Sequence, residues 1–333
     1  MGKVKKGLAL IIANAEYQSQ PKLPSCCKDG VDMKFKLEQL NFDVLYYADT
    51  TRAITLDAIA EFIKLADCYS VLLMYYAGHG VQIDGENFFV PIDCTYTPIK
   101  SVFIAGSLVN VNAVTNYMND HEEKTNILIL DACRSGLAFS RDIGSIGLAE
   151  ISAGNGTIIA FATSPNTSAL GSSSPDGNGC YTKRLLEHID HPNIKIEDMF
   201  KLVRKDVVKD TGGQQVPWEN TSLNADFCFN TMTQDEINES VYQGVRNNYC
   251  AEMLIYLSNH FGYTISDIMR IYQRQKSEKT GGIYISDETS FEKFILERVL
   301  DLKFEFINYR WVYKGTPVLM GDFQHDYTSK LSK

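Results

Sequence analysis

An α/β architecture, a mostly parallel sheet flanked by helices on both faces, is predicted for residues 1–230 by three observations. Short, nearly continuous apolar runs recur at Leu8–Ala13, Val71–Ala77, Ile127–Leu130 and Thr157–Ala162. Their apolar residues do not alternate with polar ones, as expected of strands buried on both faces. Segments with helical spacing separate them, and strand–helix alternation implies parallel pairing.

In chain order, Leu8–Ala13 is the first strand and Asn14–Ser25 a polar loop with two prolines. From Lys28, Val31, Phe35, Leu37 and Leu40 recur at helical spacing. Phe42–Tyr47 is a strand, and Asp49-Thr50-Thr51 supplies capping side chains for a helix across Leu56–Ala66. Val71–Ala77 is a strand that breaks into a flexible turn at Gly78-His79-Gly80. Val81–Ile92 alternates around Asp84-Gly85, a hairpin signature. A helix follows at Val111–Met118 and a strand at Asn126–Leu130. Leu137–Gly154 and Thr163–Gly179 are long unpatterned loops on either side of the strand Thr157–Ala162. Helical periodicity returns at Tyr181–Ile189 and Ile196–Val208, before a final extended pair at Gln215–Asn220 and Ala225–Phe229.

Beyond Thr231 the texture changes. Residues 231–333 form a smaller C-terminal helical or α+β module, with helical patterns at 235–245, 250–261, 265–275 and 291–300 and an extended stretch at Phe304–Val312.

The acidic balance, a net charge of −9, argues against nucleic acid as the main partner. No stretch approaches the roughly 20 apolar residues of a membrane span. The six-residue run Leu8–Ala13 is shorter than a signal-peptide core and leads into polar Asn14. Eight cysteines without a Cys-x-x-Cys pair read as reduced thiols of a cytoplasmic protein. Cys180, His188 and His191 lack a metal-ligand spacing, so no metal is expected there.

Candidate chemistry lies at two strand ends. Leu128-Ile-Leu-Asp-Ala-Cys-Arg-Ser-Gly136 delivers Cys133, and Val71-Leu-Leu-Met-Tyr-Tyr-Ala-Gly-His-Gly80 delivers His79. Taken alone, either residue reads more readily as structural. Together, each after a buried strand and with His 54 residues before Cys, they fit one layout of a cysteine nucleophile and its base. The imidazole would take the thiol proton, and the backbone N–H groups of Gly80 and Cys133 would hold the oxyanion.

Tyr76-Ala-Gly-His-Gly80 and Asp131-Ala-Cys-Arg-Ser-Gly136 resemble the two signatures of the caspase-like cysteine peptidases, and the resemblance covers about 1–230. It implies the caspase-type sheet, Cys133 as nucleophile and His79 as general base and acid, with no third catalytic residue assigned. Asp131, two residues before the nucleophile, stands where relatives of the paracaspase and metacaspase (orthocaspase) type hold a pocket carboxylate for basic substrates. Pro21–Asp32 followed by Leu37–Phe42 resembles the paracaspase first loop and helix, which places Asp29, or alternatively Asp32, at the second pocket aspartate. A guanidinium would bind such a pair through charge-assisted hydrogen bonds. The bland readings are a helix-dipole partner for Asp29 and a strand-end acceptor for Asp131. One departure stands out: Ala162–Gly171 carries no carboxylate where paracaspases have one, which leaves Arg against Lys open.

The expected function is therefore a cysteine endopeptidase cleaving after Arg or Lys in protein or peptide substrates. Leu137–Gly154 reads as an activation loop whose Arg141 is available for self-cleavage. No cofactor is expected, and calcium dependence is left open. Two alternatives remain: cleavage after Asp, and a signalling module whose peptidase domain is latent until a partner binds the aromatic-rich C-terminal part.

Overall fold

In this computed structural model the described residues are 5–95, 106–133, 148, 151–164, 177–233, 236, 304–307 and 310–313. The chain divides into two compact units, Met1–Thr231 and Met232–Lys333.

The first unit is built on one sheet of strands β1 (Gly7–Ala13), β2 (Phe42–Ala48), β3 (Val71–Ile83), β4 (Glu86–Phe89), β5 (Val109–Asn110), β6 (Thr125–Cys133), β7 (Thr157–Phe161) and β8 (Trp218–Thr221). Its helices are α1 (Pro24–Gln39), α2 (Arg52–Ala66), α3 (Asn112–Asp120), α4 (Cys180–His188) and α5 (Ile196–Asp210). The main order is β2-β1-β3-β6-β7-β8. All neighbours are parallel except β8, which runs antiparallel to β7.

Side chains alternate between two apolar layers. Ile11, Leu73, Tyr75, Ile127, Ile129 and Ala160 pack against α1, α4 and α5. Leu10, Leu72, Met74, Leu128, Leu130 and Ile159 pack against α2 and α3. Because both faces are covered, successive strand residues are all apolar, which is why the runs were readable as parallel strands.

Three expectations are corrected. β3 does not turn at Gly78-His79-Gly80 but continues extended to Ile83. β6 pairs with it through Cys133, and past that point β4 takes over on Gly80–Ile83. The glycines are there for space. A Cβ on Gly78 would stand 2.7 Å from the Tyr17 hydroxyl, and one on Gly80 3.1 Å from Ala132 Cβ. α1 starts at Pro24 rather than Lys28, since proline at the first helical position lacks only an N–H that would be unpaired anyway. Finally, 225–229 forms no strand beside β8. Phe227 and Phe229 fill the core, and Lys6 Nζ donates to the carbonyls of Cys228 and Phe229 at 2.5 and 2.7 Å.

Other elements match their sequence signals. Thr51 caps α2 by accepting from Ile54 N. Asp84 and Gly85 both take positive φ, 51° and 84°, the geometry of a tight hairpin turn. The second unit contains an antiparallel hairpin of β9 (Phe304–Ile307) and β10 (Arg310–Tyr313). Apart from Glu236, the helices expected there lie outside the described residues.

Helix α1 approaches the sheet closely at Gly30. A Cβ there would lie 2.6 Å from Ala13 Cβ and 3.0 Å from Tyr46 Cε2. Gly30→Ala is therefore expected to lower stability by about 1–3 kcal/mol through overpacking. An exposed helical glycine replaced by alanine would gain about 1 kcal/mol. Urea unfolding of the two proteins reads the sign directly.

Candidate active site

The register of β3 against β6 sets the site. Ala77 pairs with Asp131, Gly78 with Ala132 and His79 with Cys133. Adjacent strands lie about 4.8 Å apart, so the backbones of His79 and Cys133 are direct neighbours at the carboxyl end of the sheet. Open parallel sheets place their ligand crevices at that end.

His79 is fully buried and held from several sides. Its backbone N–H donates to the Tyr17 hydroxyl at 2.8 Å, and its carbonyl accepts from the Tyr76 hydroxyl at 2.8 Å. The Tyr17 ring lies 4.5 Å from the imidazole, centroid to centroid. Ring atom Nε2 lies 2.8 Å from the Pro21 carbonyl oxygen. A carbonyl can only accept, so Nε2 carries the proton and Nδ1 is the basic nitrogen of the neutral ring.

The Pro21 carbonyl is positioned by the loop that carries it. Asp49 Oδ1 accepts from Ala15 N and Glu16 N at 2.8 Å each, Asn14 N donates to the Ala77 carbonyl, and Leu23 N donates to the Ala15 carbonyl. Neither Tyr17 nor Pro21 was singled out from the sequence. A main-chain carbonyl has no residue-type signature, and Tyr17 is one aromatic in a polar loop.

Asp29 and Asp131 come together at the start of α4. Asp29 is 2% exposed. Its Oδ1 accepts from Asn178 Nδ2 at 3.0 Å and from Gly179 N at 2.9 Å. Asp131 keeps a little accessible surface, yet its carboxyl group is enclosed by protein. Its Oδ2 accepts from Thr182 Oγ1 at 2.6 Å, and the Thr182 hydroxyl also pairs with the Tyr75 hydroxyl at 2.6 Å. A Cβ built on Gly179 would stand 3.2 Å from Asp29 Oδ2 and 3.8 Å from Asp131 Oδ2, so the carboxylates flank one spot.

The bland reading of Asp29 does not account for its place, because α1 has no acidic residue in its first turn and Asp29 gains little from that dipole. Asp131 is an acceptor near the end of β6, as its bland reading has it, and its donor is Thr182 of α4. Asp32 lies further out, bonded to Asn178 Nδ2 at 2.9 Å and paired with Lys28 at 2.8 Å.

Burial raises the Asp29 pKa to about 7, the Asp131 charge adds to the rise, and the bonds from Asn178 and Gly179 oppose it. Burial likewise raises Asp131 to about 6, against the bonds from Thr182. The pair titrates as a unit, and near neutral pH it retains part of a proton.

Gly80 N and Cys133 N, the expected oxyanion donors, lie on the two paired strands. The Cys133 side chain, Arg141 and most of Leu137–Gly154 lie outside the described residues. Of the three residues considered for metal, His188 Nε2 instead pairs with Asp206 Oδ2 at 2.9 Å, both buried. Glu187 is the third side chain of that cluster and pairs with Arg184. No described helix is long and apolar enough to cross a membrane.

The sequence profile described as the caspase domain matches residues 6–228. Residues of the chain are also 29% identical over 186 positions to human mucosa-associated lymphoid tissue lymphoma translocation protein 1. The mouse homologue matches with the same identity and length. Each alignment covers 56% of this chain and 22% of the relative, so the chain spans about a fifth of the length of those proteins.

The sign of the pair's contribution to stability follows from its raised pKa. An unfolded Asp titrates near 4, so the fold binds more protons than the unfolded chain between about pH 4 and 7. The stability this provides is complete below pH 4 and is lost as pH rises through 7. Asp29→Asn keeps an oxygen acceptor for Asn178 and Gly179 and removes the repulsion. Its melting midpoint is expected to exceed wild type at pH 8, with the gap closing toward pH 4. Thermal melts across that range measure it, and a gap independent of pH would contradict the assignment.

Proposed function

Because the chain belongs to the caspase-domain family of cysteine peptidases, we propose that it is an endopeptidase cleaving after arginine or lysine through His79 and Cys133. The single observation that carries the basic-residue reading is the buried pair Asp29 and Asp131, its second member two residues before Cys133 on the same strand. Two enclosed like charges are unfavourable alone, and a cation arriving between them offsets their repulsion. The same field repels an aspartate side chain, which disfavours the Asp-specific alternative.

In the proposed reaction the substrate cation docks against the pair and brings the following carbonyl carbon to Cys133. His79 Nδ1 takes the thiol proton as sulfur attacks, and the backbone N–H groups of Gly80 and Cys133 stabilise the oxyanion. The protonated imidazole then donates to the leaving amine. Water, deprotonated by the same ring, releases the acyl group. The hydrogen bond from Nε2 to the Pro21 carbonyl supports the ring while it carries charge. No step calls for a metal or other cofactor.

Activation by self-cleavage at Arg141, or by a protein partner at residues 232–333, belongs to the same reading. The caspase-domain family implies protein substrates, and the cytoplasm is the proposed setting.

Matched peptides ending in Arg, Lys, Asp and Leu test the proposal. Turnover is expected with Arg and Lys, with none for Cys133→Ala. Asp29→Asn or Asp131→Asn should reduce kcat/KM on the basic peptides by roughly a hundredfold, the worth of about 2–3 kcal/mol for a hydrogen-bonded charge pair. Preferential cleavage after Asp would overturn the charge argument. In a separate measurement, intact-mass analysis of fully active enzyme should show a chain cut after Arg141, and an uncut active chain removes self-cleavage from the scheme.

A further inference from the structure

We propose that Gly179 is a specificity-determining residue, the space left by its missing side chain being the slot through which a planar guanidinium reaches both Asp29 and Asp131. This rests on the basic-residue reading above and commits it to arginine over lysine.

The argument begins with why residue 179 is glycine at all. Its backbone, φ −56° and ψ 151°, is open to any L-residue, so no left-handed conformation calls for glycine. It is the N-cap of α4 and makes no side-chain cap hydrogen bond there. Serine, aspartate or asparagine would cap the helix better. Backbone freedom and helix stability therefore leave the glycine unexplained, whereas space explains it. The position of its absent Cβ is within 3.2 Å of Asp29 Oδ2 and 3.8 Å of Asp131 Oδ2. The first distance is shorter than an ordinary van der Waals contact.

The walls of the slot are fixed. Asn178 Nδ2 and Gly179 N both hold Asp29 through Oδ1, which leaves Oδ2 on the slot side. Asn178 Nδ2 also bonds Asp32 Oδ2, tying the first wall to the next turn of α1. Thr182 holds Asp131 Oδ2 from the other side, with Tyr75 behind it. Two carboxylate oxygens flanking one spot suit a guanidinium, whose planar fork offers donors along several edges and sheds water readily. A lysine ammonium is a compact, strongly hydrated point charge that gains less from two walls and loses more on burial.

Gly179→Ala places a Cβ in the slot. Gly179→Ser does the same while supplying a better N-cap, so its folding is protected. Three readouts are compared with wild type: kcat and KM on matched Arg and Lys peptides, the melting midpoint, and the rate at which iodoacetamide alkylates Cys133, followed on its own peptide. Wild type is expected to prefer Arg by roughly tenfold or more. Both variants should lose roughly tenfold in kcat/KM on Arg, mainly through KM, and so narrow the Arg-to-Lys ratio. Their midpoints and Cys133 alkylation should stay near wild type. A folded variant that keeps both its Arg KM and its Arg-to-Lys ratio overturns the proposal. So does a loss of Arg turnover matched by an equal loss of alkylation, which would mean a disturbed dyad. A wild-type enzyme that favours Lys overturns the slot but leaves the basic pocket standing. One indifferent to charge removes the pocket itself, and the slot with it.

Discussion

β3 and β6 run parallel and in register from Val71 opposite Thr125 to His79 opposite Cys133, and every feature of the site depends on that alignment. In a strand the side-chain period is two, so a one-residue slip would exchange the faces to which Ile127, Ile129 and Asp131 contribute. Asp131 would then leave Asp29 and α4, and Cys133 would lose its place beside His79. The apolar layers on both faces hold the alignment. Ile127 and Ile129 are committed to the α1, α4 and α5 side, and Leu128 and Leu130 to the α2 and α3 side. A slip would have to exchange both sets against differently shaped helices.

Within that frame the carboxylate pair is an unfavourable arrangement that the rest of the fold tolerates. The hydrogen bonds that hold it come from the start of α4, where Gly179 N, Asn178 Nδ2 and Thr182 Oγ1 all donate. Helix starts present unpaired N–H groups and positive potential, so they are natural partners for anions. The two aspartates therefore serve α4 as borrowed caps in place of the one Gly179 cannot supply. That dual use fixes the carboxylates while leaving Asp29 Oδ2 beside the space that a Gly179 side chain would fill. Pre-fixed groups of this kind lose little freedom when a ligand arrives, which is the general route to affinity from a small contact.

How much of this was legible in the sequence follows from what each feature is made of. β1, β3, β6 and β7 were readable because strands buried on both faces show continuous apolar runs, and the family signatures sit on the two central ones. The extension of β3 through His79 was not readable, because Gly-His-Gly has turn composition and the strand survives only through clearance at Tyr17, Tyr76 and Ala132. The start of α1 was blurred because Pro24–Gly30 carries little apolar periodicity, its helical state being set by the proline and by close packing of Gly30 on Ala13. Asp29 and Asp131 were reachable by resemblance alone. Their meeting requires α1 and β6 to converge, and no local pattern encodes that. Asn178, Gly179 and Thr182 follow a Ser/Asn/Gly-rich tract in which composition does not distinguish a pocket wall from an ordinary loop.

The two halves of the site also differ in what fixes them. His79 is positioned by neutral hydrogen bonds among groups that are buried whatever the pH: Tyr17 and Tyr76 hydroxyls on its backbone, and the Pro21 carbonyl on its ring. Burial holds the Tyr17 hydroxyl well above its usual pKa and Tyr76 above its own, so both remain protonated hydroxyls across the working range. The carboxylate pair, by contrast, changes charge near neutrality. Mild acidification therefore neutralises the carboxylate pair before it disturbs the hydrogen bonds that position His79. Under the proposed function, such an enzyme would lose its grip on cationic side chains while its nucleophile–base pair stayed assembled. Selectivity and catalytic geometry would then be energetically separable, although Asp131 and His79 stand on the same strand pair.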